Sequence, residues 1–213
     1  MNETIYYGDG SRYIYPAMLL SAIVLLLYSF LFRPSISADF LISIGFFAIL
    51  YYIYVGHKIS GGAFLLGIAA ITVNLLGAAG LYAHFAFGAV GYDKLVHLIS
   101  SFAAAYALLE ISTEKQMFLR YTFVILMLMG LGALVEINEF IGTAYFGMEN
   151  GGIFAIGDGL SVIKSDLQRY DTYFDMITNL LGGLMAVSFV MARSRFERHQ
   201  SMISADSSRM EAM

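Results

Sequence analysis

The stretch YDKLVH at Tyr92–His97 places a cluster of ionisable side chains at the head of an otherwise apolar segment. Two other apolar segments carry charge at one end in the same way: EINE at Glu136–Glu139, and DTYFD at Asp171–Asp175, which Asn179 follows. Because a face of acids cannot point at lipid without a large cost, each set should point into a helix bundle, to water or to an ion. We therefore expect these three helix ends to meet on one side of a membrane.

The composition of the chain indicates a protein that lives in a lipid bilayer. Of its 213 residues, 59% are hydrophobic and only 13% are charged, with a mean hydropathy of +0.71; soluble domains average roughly 25% charged residues. The absence of cysteine excludes disulfides, thiolate metal sites and cysteine nucleophiles. The net charge of -4 argues against nucleic acid as a partner and leaves membrane lipids as the expected surroundings.

Six apolar runs, each bounded by charge, proline or glycine, predict an all-α polytopic bundle of about six transmembrane helices. The runs cover residues 16–32, 40–55, 63–90, 93–111, 117–140 and 173–192. The third is long enough either to span with tilt or to break near its glycines. Residues 1–15 form a polar amino-terminal segment, 16–192 the membrane domain, 142–170 an extracytoplasmic loop or lid, and 193–213 a cytoplasmic tail expected to be disordered beyond its first basic turn.

The distribution of basic residues predicts the orientation of the chain. Eight Lys and Arg residues lie on the side of the two termini and four lie on the other side. By the positive-inside rule, both termini are expected in the cytoplasm of a multi-pass protein of the inner or cytoplasmic membrane. The charged helix ends and the long loop would then face outward.

The depth of the acids supports a common site. On each helix we count the residues between the acid and the charged residue nearest the opposite membrane surface. Asp93 is 17 residues from Glu110, Glu136 is 16 from Arg120, and Asp175 is 18 from Arg193. The three acids therefore lie at the same depth to within one helical turn. Spacings of three or four residues also place the members of each set on one face of their helix.

Each charged residue also has an ordinary structural explanation. Acids at a helix amino terminus commonly cap free N–H groups. Glu136 and Glu139 lack that explanation, because they lie at a carboxyl-terminal helix end, where the helix dipole disfavours negative charge. The ordinary structural explanation for these two glutamates is an ion pair with Lys94 or Arg169. Lys94 itself could instead extend its aliphatic stem outward so that its ammonium reaches water.

The three motifs in order resemble the YjdF-like inner-membrane protein family over roughly residues 90–190, and are more distantly similar to the VanZ-like group. The characteristic polar positions of the YjdF-like family correspond here to Tyr92, Asp93, His97, Glu136, Glu139, Asp171 and Asp175. This chain has Phe140 and Phe174 where that family usually has tryptophan. The resemblance implies an architecture and a site but no reaction. VanZ-like proteins are linked with glycopeptide resistance, which suggests envelope lipids or wall precursors.

One functional hypothesis is a metal-assisted membrane enzyme. Carboxylates with one imidazole suit a divalent cation such as Mg, Mn, Fe or Zn. The expected metal ligands are Asp93, His97, Glu136, Glu139, Asp171 and Asp175. Glu136 or Glu139 could act as general base, and Lys94 or Arg169 could offset the charge of a substrate. Tyr92 and Asn179 complete the set of polar residues at these helix ends.

The other hypothesis is a non-catalytic membrane protein, either an ion or solute transporter or a structural subunit of a complex, in which the acids form an ion-pair network. Intramembrane acids mark ion pathways as often as catalysis. A pathway should continue to the other surface, however, and the inner halves of the last three helices hold few polar residues beyond Ser100, Ser101, Tyr106 and Ser188. That distribution favours a site on one side of the membrane.

Overall fold

The fold, seen in a computed structural model, is an all-α bundle, as the apolar runs predicted. The structure describes residues 10–32, 37–56, 58–77, 81, 86–87, 90–146 and 168–211. Within these ranges the helices are α1 (Gly10–Phe32), α2 (Ser37–Val55), α3 (Gly61–Leu76), α4 (Tyr92–Ile111), α5 (Met117–Phe146) and α6 (Gln168–Glu211).

Three stretches of the described helices are long and apolar enough to cross a membrane: Tyr92–Ile111, Met117–Ile137 and Thr172–Ser204. Shorter apolar stretches cover Tyr15–Tyr28, Leu41–Val55 and Gly61–Leu76. Large apolar side chains are exposed on these helices, for example Leu31 at 76%, Phe118 at 78% and Leu126 at 66%. An apolar surface of this kind is suited to lipid contact.

The predicted third run, residues 63–90, divides in two, so the break near glycine was the correct alternative. Helix α3 ends at Leu76, with Gly77 as its carboxyl-terminal cap. A two-residue antiparallel ladder then joins β1 (Ala86–Phe87) to β2 (Val90–Gly91). Because β2 leads directly into α4, the ladder lies immediately before the cluster at the head of α4.

Helix α4 lies at the centre of the bundle. It packs along α6 and also contacts α3 and α5, whereas α1 and α2 pack against each other and against α3. Aromatic contacts help to join the first three helices: the Tyr15 ring stacks on Tyr51 at 4.4 Å, and the Tyr54 ring stacks on Phe64 at 4.3 Å. The ends of α4, α5 and α6 are therefore neighbours.

Several helix ends differ from the sequence boundaries. Helix α6 continues to Glu211, so the expected disordered tail is helical over 193–211. An i,i+4 ion pair between Arg193 and Glu197, with 2.8 Å between Nε and Oε1, supports its first turn there. Residues 142–146 extend α5 and 168–170 begin α6, while the rest of the expected loop, 147–167, lies outside the described residues.

Candidate functional site

The start of α4 is fixed by a contact with the end of α3. The Tyr92 hydroxyl donates a hydrogen bond of 2.9 Å to the backbone carbonyl of Val73, and the Tyr92 side chain is buried. Lys94 and His97 follow Tyr92 on α4, and because they are three residues apart they lie on one face of this helix. Asp175 and Asn179, four residues apart, lie on the face of α6 that meets it.

Lys94 is buried and joins two carboxylates. Its Nζ lies 2.6 Å from Asp175 Oδ1 and 2.7 Å from Asp93 Oδ2. The side chains of Lys94 and Asp175 are only 9% and 3% exposed, whereas that of Asp93 is 33% exposed. The expectation that Lys94 extends outward to water is therefore wrong, because the buried Asp175 carboxylate holds the ammonium inside the bundle.

His97 is oriented by Asn179. The Asn179 Oδ1 lies 3.2 Å from His97 Nδ1 and also accepts a hydrogen bond of 2.6 Å from the Ser101 hydroxyl. Because a carbonyl oxygen only accepts, Nδ1 must carry the proton of this contact, and Nε2 of a neutral imidazole keeps its lone pair. That Nε2 lies 3.5 Å from Asp175 Oδ1. The Lys94 ammonium, 2.6 Å from the same Asp175 oxygen, places a positive charge beside these two atoms.

Glu136 brings a third helix into this site. It is 8% exposed, and one carboxylate oxygen of Glu136, one ring nitrogen of His97 and one carboxylate oxygen of Asp175 all lie within 4.8 Å of one another. Two ligands bound tetrahedrally to zinc at about 2.0–2.1 Å are themselves about 3.3 Å apart. The separation of 3.5 Å between His97 and Asp175 is close to that value. We call Asp93, Lys94, His97, Glu136, Asp175 and Asn179 the His97 cluster.

Glycines allow the helices that carry the His97 cluster to approach closely. A Cβ on Gly182 of α6 would lie 2.5 Å from the carbonyl oxygen of Leu98 and 2.9 Å from the Ser101 Cβ. A Cβ on Gly132 of α5 would lie 2.6 Å from Asn179 Nδ2. Short side chains such as Asp, Asn and Ser reach across the helix interfaces because the backbones are this close.

Comparison with known proteins gives one match that covers most of the chain. A family model described as predicted membrane protein, DUF2238, matches residues 14–195. The chain belongs to the DUF2238 family. No curated protein and no solved structure matches it. Membership of this family agrees with the apolar helices in making the chain a multi-pass membrane protein.

All the residues that the sequence singled out lie within the segment that the DUF2238 model matches. The structure brings His97, Glu136 and Asp175 together, with Lys94 and Asn179 beside them. Asp93 contacts the ammonium of Lys94. The side chains of three predicted residues lie outside the described residues: Glu139, Arg169 and Asp171.

Ser101 is a residue of this DUF2238 protein that the sequence analysis did not assign to the site. Its hydroxyl donates to Asn179 Oδ1, and its side chain is buried. The signal that could have identified it is spacing, because Ser101 follows His97 by four residues and so lies on the same face of α4.

Proposed function

We propose that this protein binds a divalent metal ion through His97, Glu136 and Asp175 and acts on a lipid or another envelope-related substrate. The observation that carries the proposal is the meeting of three ligand atoms from three helices within 4.8 Å. Glu136 and Asp175 are 8% and 2% exposed, so this is an interior site and not a group of solvated surface acids.

The charge of the His97 cluster also favours a divalent cation. Among its described residues, three carboxylates face one ammonium, which leaves two negative charges if His97 is neutral. Two of these carboxylates, Glu136 and Asp175, are buried, where nearby positive charge compensates the cost of removing a carboxylate from water. One divalent ion would supply that compensation.

The types of donor atom limit which metals fit. Two carboxylates with one imidazole are compatible with Mg, Mn, Fe or Zn. When bound, such an ion could polarise a phosphoryl or carbonyl oxygen or acidify a bound water molecule. Asn179 and Ser101 would hold the imidazole ring in position, a role that outer hydrogen-bond partners commonly play for metal ligands.

Other residues would then act on the substrate. Lys94 would hold Asp175 in place and offset the negative charge of a phosphate-bearing group. Glu136 or Glu139 would serve as general base. We place this chemistry on the extracytoplasmic face, because the excess of Lys and Arg on the opposite side predicts cytoplasmic termini. The distant similarity of the motifs to VanZ-like proteins suggests a substrate from the cell envelope.

Metal analysis of the purified protein tests the proposal. We expect one divalent ion per chain after dialysis against trace-metal buffer, and its loss in His97→Ala and Glu136→Gln. Glu114→Gln is a suitable control, because Glu114 is an exposed acid between α4 and α5. Retention of the metal in both site variants, with loss in Glu114→Gln, would show that the ion binds elsewhere.

A second candidate function is a non-catalytic protein in which the His97 cluster is a structural ion-pair network. The contact of 2.6 Å between Lys94 and Asp175 favours it, because an ammonium already neutralises the most buried carboxylate. On this hypothesis the purified protein holds no stoichiometric metal, and added Mn or Zn does not raise the melting temperature. A metal-dependent rise in melting temperature that disappears in His97→Ala would exclude this candidate.

A further inference from the structure

A second polar site lies at the opposite end of the same three helices. A cavity of about 210 Å³ opens there between α4, the start of α5 and the later part of α6. Its lining includes Leu109, Glu110, Arg120, Val190, Arg193 and Glu197, and we call it the Arg193 cavity. Arg193 follows Asp175 by 18 residues, which corresponds to about 27 Å along α6, so the Arg193 cavity is separate from the His97 cluster.

Two guanidinium groups give the Arg193 cavity hydrogen-bond donors suited to phosphate. Arg120 donates from Nη2 to the carbonyl of Leu109, while its buried Nε has no hydrogen-bond partner among the described residues. Arg193 donates from Nη1 to the Tyr106 hydroxyl at 3.1 Å and from Nε to Glu197 at 2.8 Å. Planar guanidinium groups present paired N–H donors whose geometry matches phosphate oxygens.

Two carboxylates beside these donors argue against a simple anion as the ligand. Glu110 Oε1 and Oε2 each accept one hydrogen bond from Ser60, at 2.7 and 2.6 Å, and the carboxylate also hydrogen-bonds the Tyr106 hydroxyl, which still leaves it acceptor capacity. Glu197 is 60% exposed, and exposed ion pairs such as its contact with Arg193 contribute little to stability. The four charges cancel, so a ligand with both signs of charge matches the cavity better than a purely negative one.

The position of the cavity indicates which kind of molecule could supply a ligand with both a positive and a negative charge. It lies near the end of α4 at Ile111 and where the apolar run 173–192 of α6 gives way to charged residues, and Leu109 and Val190 provide apolar walls next to the charged groups. We propose that the Arg193 cavity binds the phosphoethanolamine headgroup of a membrane glycerophospholipid. The arginines would contact the phosphate, and Glu110 and Glu197 would accept hydrogen bonds from the primary ammonium.

The proposed contacts predict that three common phospholipids differ in their affinity for the Arg193 cavity. A phosphatidylglycerol headgroup carries no cation for the two carboxylates and would leave a net negative charge in the cavity. A choline headgroup carries a cation but no N–H donor, and its recognition commonly uses several aromatic rings. The primary ammonium of ethanolamine satisfies both the charge and the hydrogen-bond acceptors.

The test is a titration of the delipidated full-length protein in detergent, followed by native mass spectrometry. Phosphatidylethanolamine, phosphatidylglycerol and phosphatidylcholine with identical short acyl chains are compared, together with glycerophosphoethanolamine and sodium phosphate. We expect phosphatidylethanolamine to bind most tightly. Equal binding of the three lipids would overturn the proposal. Equal binding of glycerophosphoethanolamine would overturn the lipid part and assign a soluble ligand.

Matched variants locate the binding in the Arg193 cavity. Arg193→Gln should weaken phosphatidylethanolamine binding by about tenfold or more, the effect of losing a hydrogen bond to a charged group. Arg195→Gln is the control, because Arg195 is exposed on the same helix and does not line the cavity. An equal loss in both variants would overturn the proposal in favour of unspecific charge attraction.

Glu197→Gln keeps the proposal testable if an arginine variant fails to fold, because Glu197 is exposed. It should remove the preference for phosphatidylethanolamine over phosphatidylglycerol, and an unchanged preference would overturn the role of the carboxylates. His97→Ala should bind lipid normally whether or not the protein binds a metal. The two proposals can therefore fail independently.

Discussion

Replacing Lys94 by methionine tests the physical core of the His97 cluster. Methionine preserves most of the length and the apolar stem of lysine but removes the ammonium. In the parent protein this ammonium lies 2.6 Å from Asp175 Oδ1 and 2.7 Å from Asp93 Oδ2. The variant Lys94→Met therefore leaves two carboxylates without their common partner, one deeply buried and one partly exposed.

The expected cost follows from the exposure of the two acids. The Asp175 side chain is 3% exposed, so breaking its ion pair leaves a buried charge, which typically costs about 3–5 kcal/mol. The Asp93 side chain is 33% exposed, and a pair at that exposure contributes at most about 1 kcal/mol. Lys94→Met should thus destabilise the protein strongly, whereas Asp93→Asn should change its stability little.

Thermal unfolding followed by circular dichroism is a suitable assay, because the chain has no tryptophan and no cysteine for the usual fluorescence probes. We expect Lys94→Met to lower the melting temperature by about 6 °C or more, and the double variant Lys94→Met/Asp175→Asn to recover most of that loss. Added Mn or Zn should stabilise the parent protein and Lys94→Met but not the double variant, which lacks the Asp175 carboxylate. A melting temperature equal to that of the parent would refute the buried ion pair.

Three further substitutions test the surrounding structure. Gly182→Ala should destabilise the bundle by about 1–3 kcal/mol, because its Cβ would collide with the Leu98 carbonyl; the control Gly130→Ala, with nothing within 4 Å of its Cβ, should be neutral in the same unfolding assay. Ser60→Ala should cost about 1–2 kcal/mol in that assay, because the hydroxyl caps α3. Asn179→Leu should weaken metal binding by about 10–100-fold in a calorimetric titration, since it removes the acceptor for His97; unchanged affinity would contradict that role.

Much of the fold was predictable because lipid restricts what a membrane segment can be. Apolar runs bounded by charge, proline or glycine predicted the order of the six helices, since a single segment in a bilayer pairs all its own backbone groups only as a helix. The break after α3 was open in the sequence, because a run of 28 apolar residues can tilt or divide. The helical tail was missed, because a polar helix without a buried face leaves no hydrophobic period to detect.

The sequence predicted how deep in the membrane the residues of the candidate site lie, but not which side chains contact one another. Similar distances from the far surface, 16 to 18 residues, predicted that Asp93, Glu136 and Asp175 lie at one level, and in the structure Glu136 and Asp175 lie together with His97. Which acid Lys94 reaches depends on the rotation of α4 against α6. The backbones of the two helices also approach closely at Gly182, a contact that the spacing of charges does not reveal. The spacing of charges therefore predicts the membrane depth of Lys94 but not the direction of its side chain.

X-ray absorption spectroscopy of the zinc-loaded protein tests the central claim most directly, because it reports the atoms bound to the metal. We expect only nitrogen and oxygen ligands at about 2.0–2.2 Å, with the scattering pattern of a single imidazole. The imidazole pattern should disappear in His97→Ala and persist in Glu114→Gln. A zinc ion without an imidazole ligand, or with more than one, would contradict a site built from His97, Glu136 and Asp175.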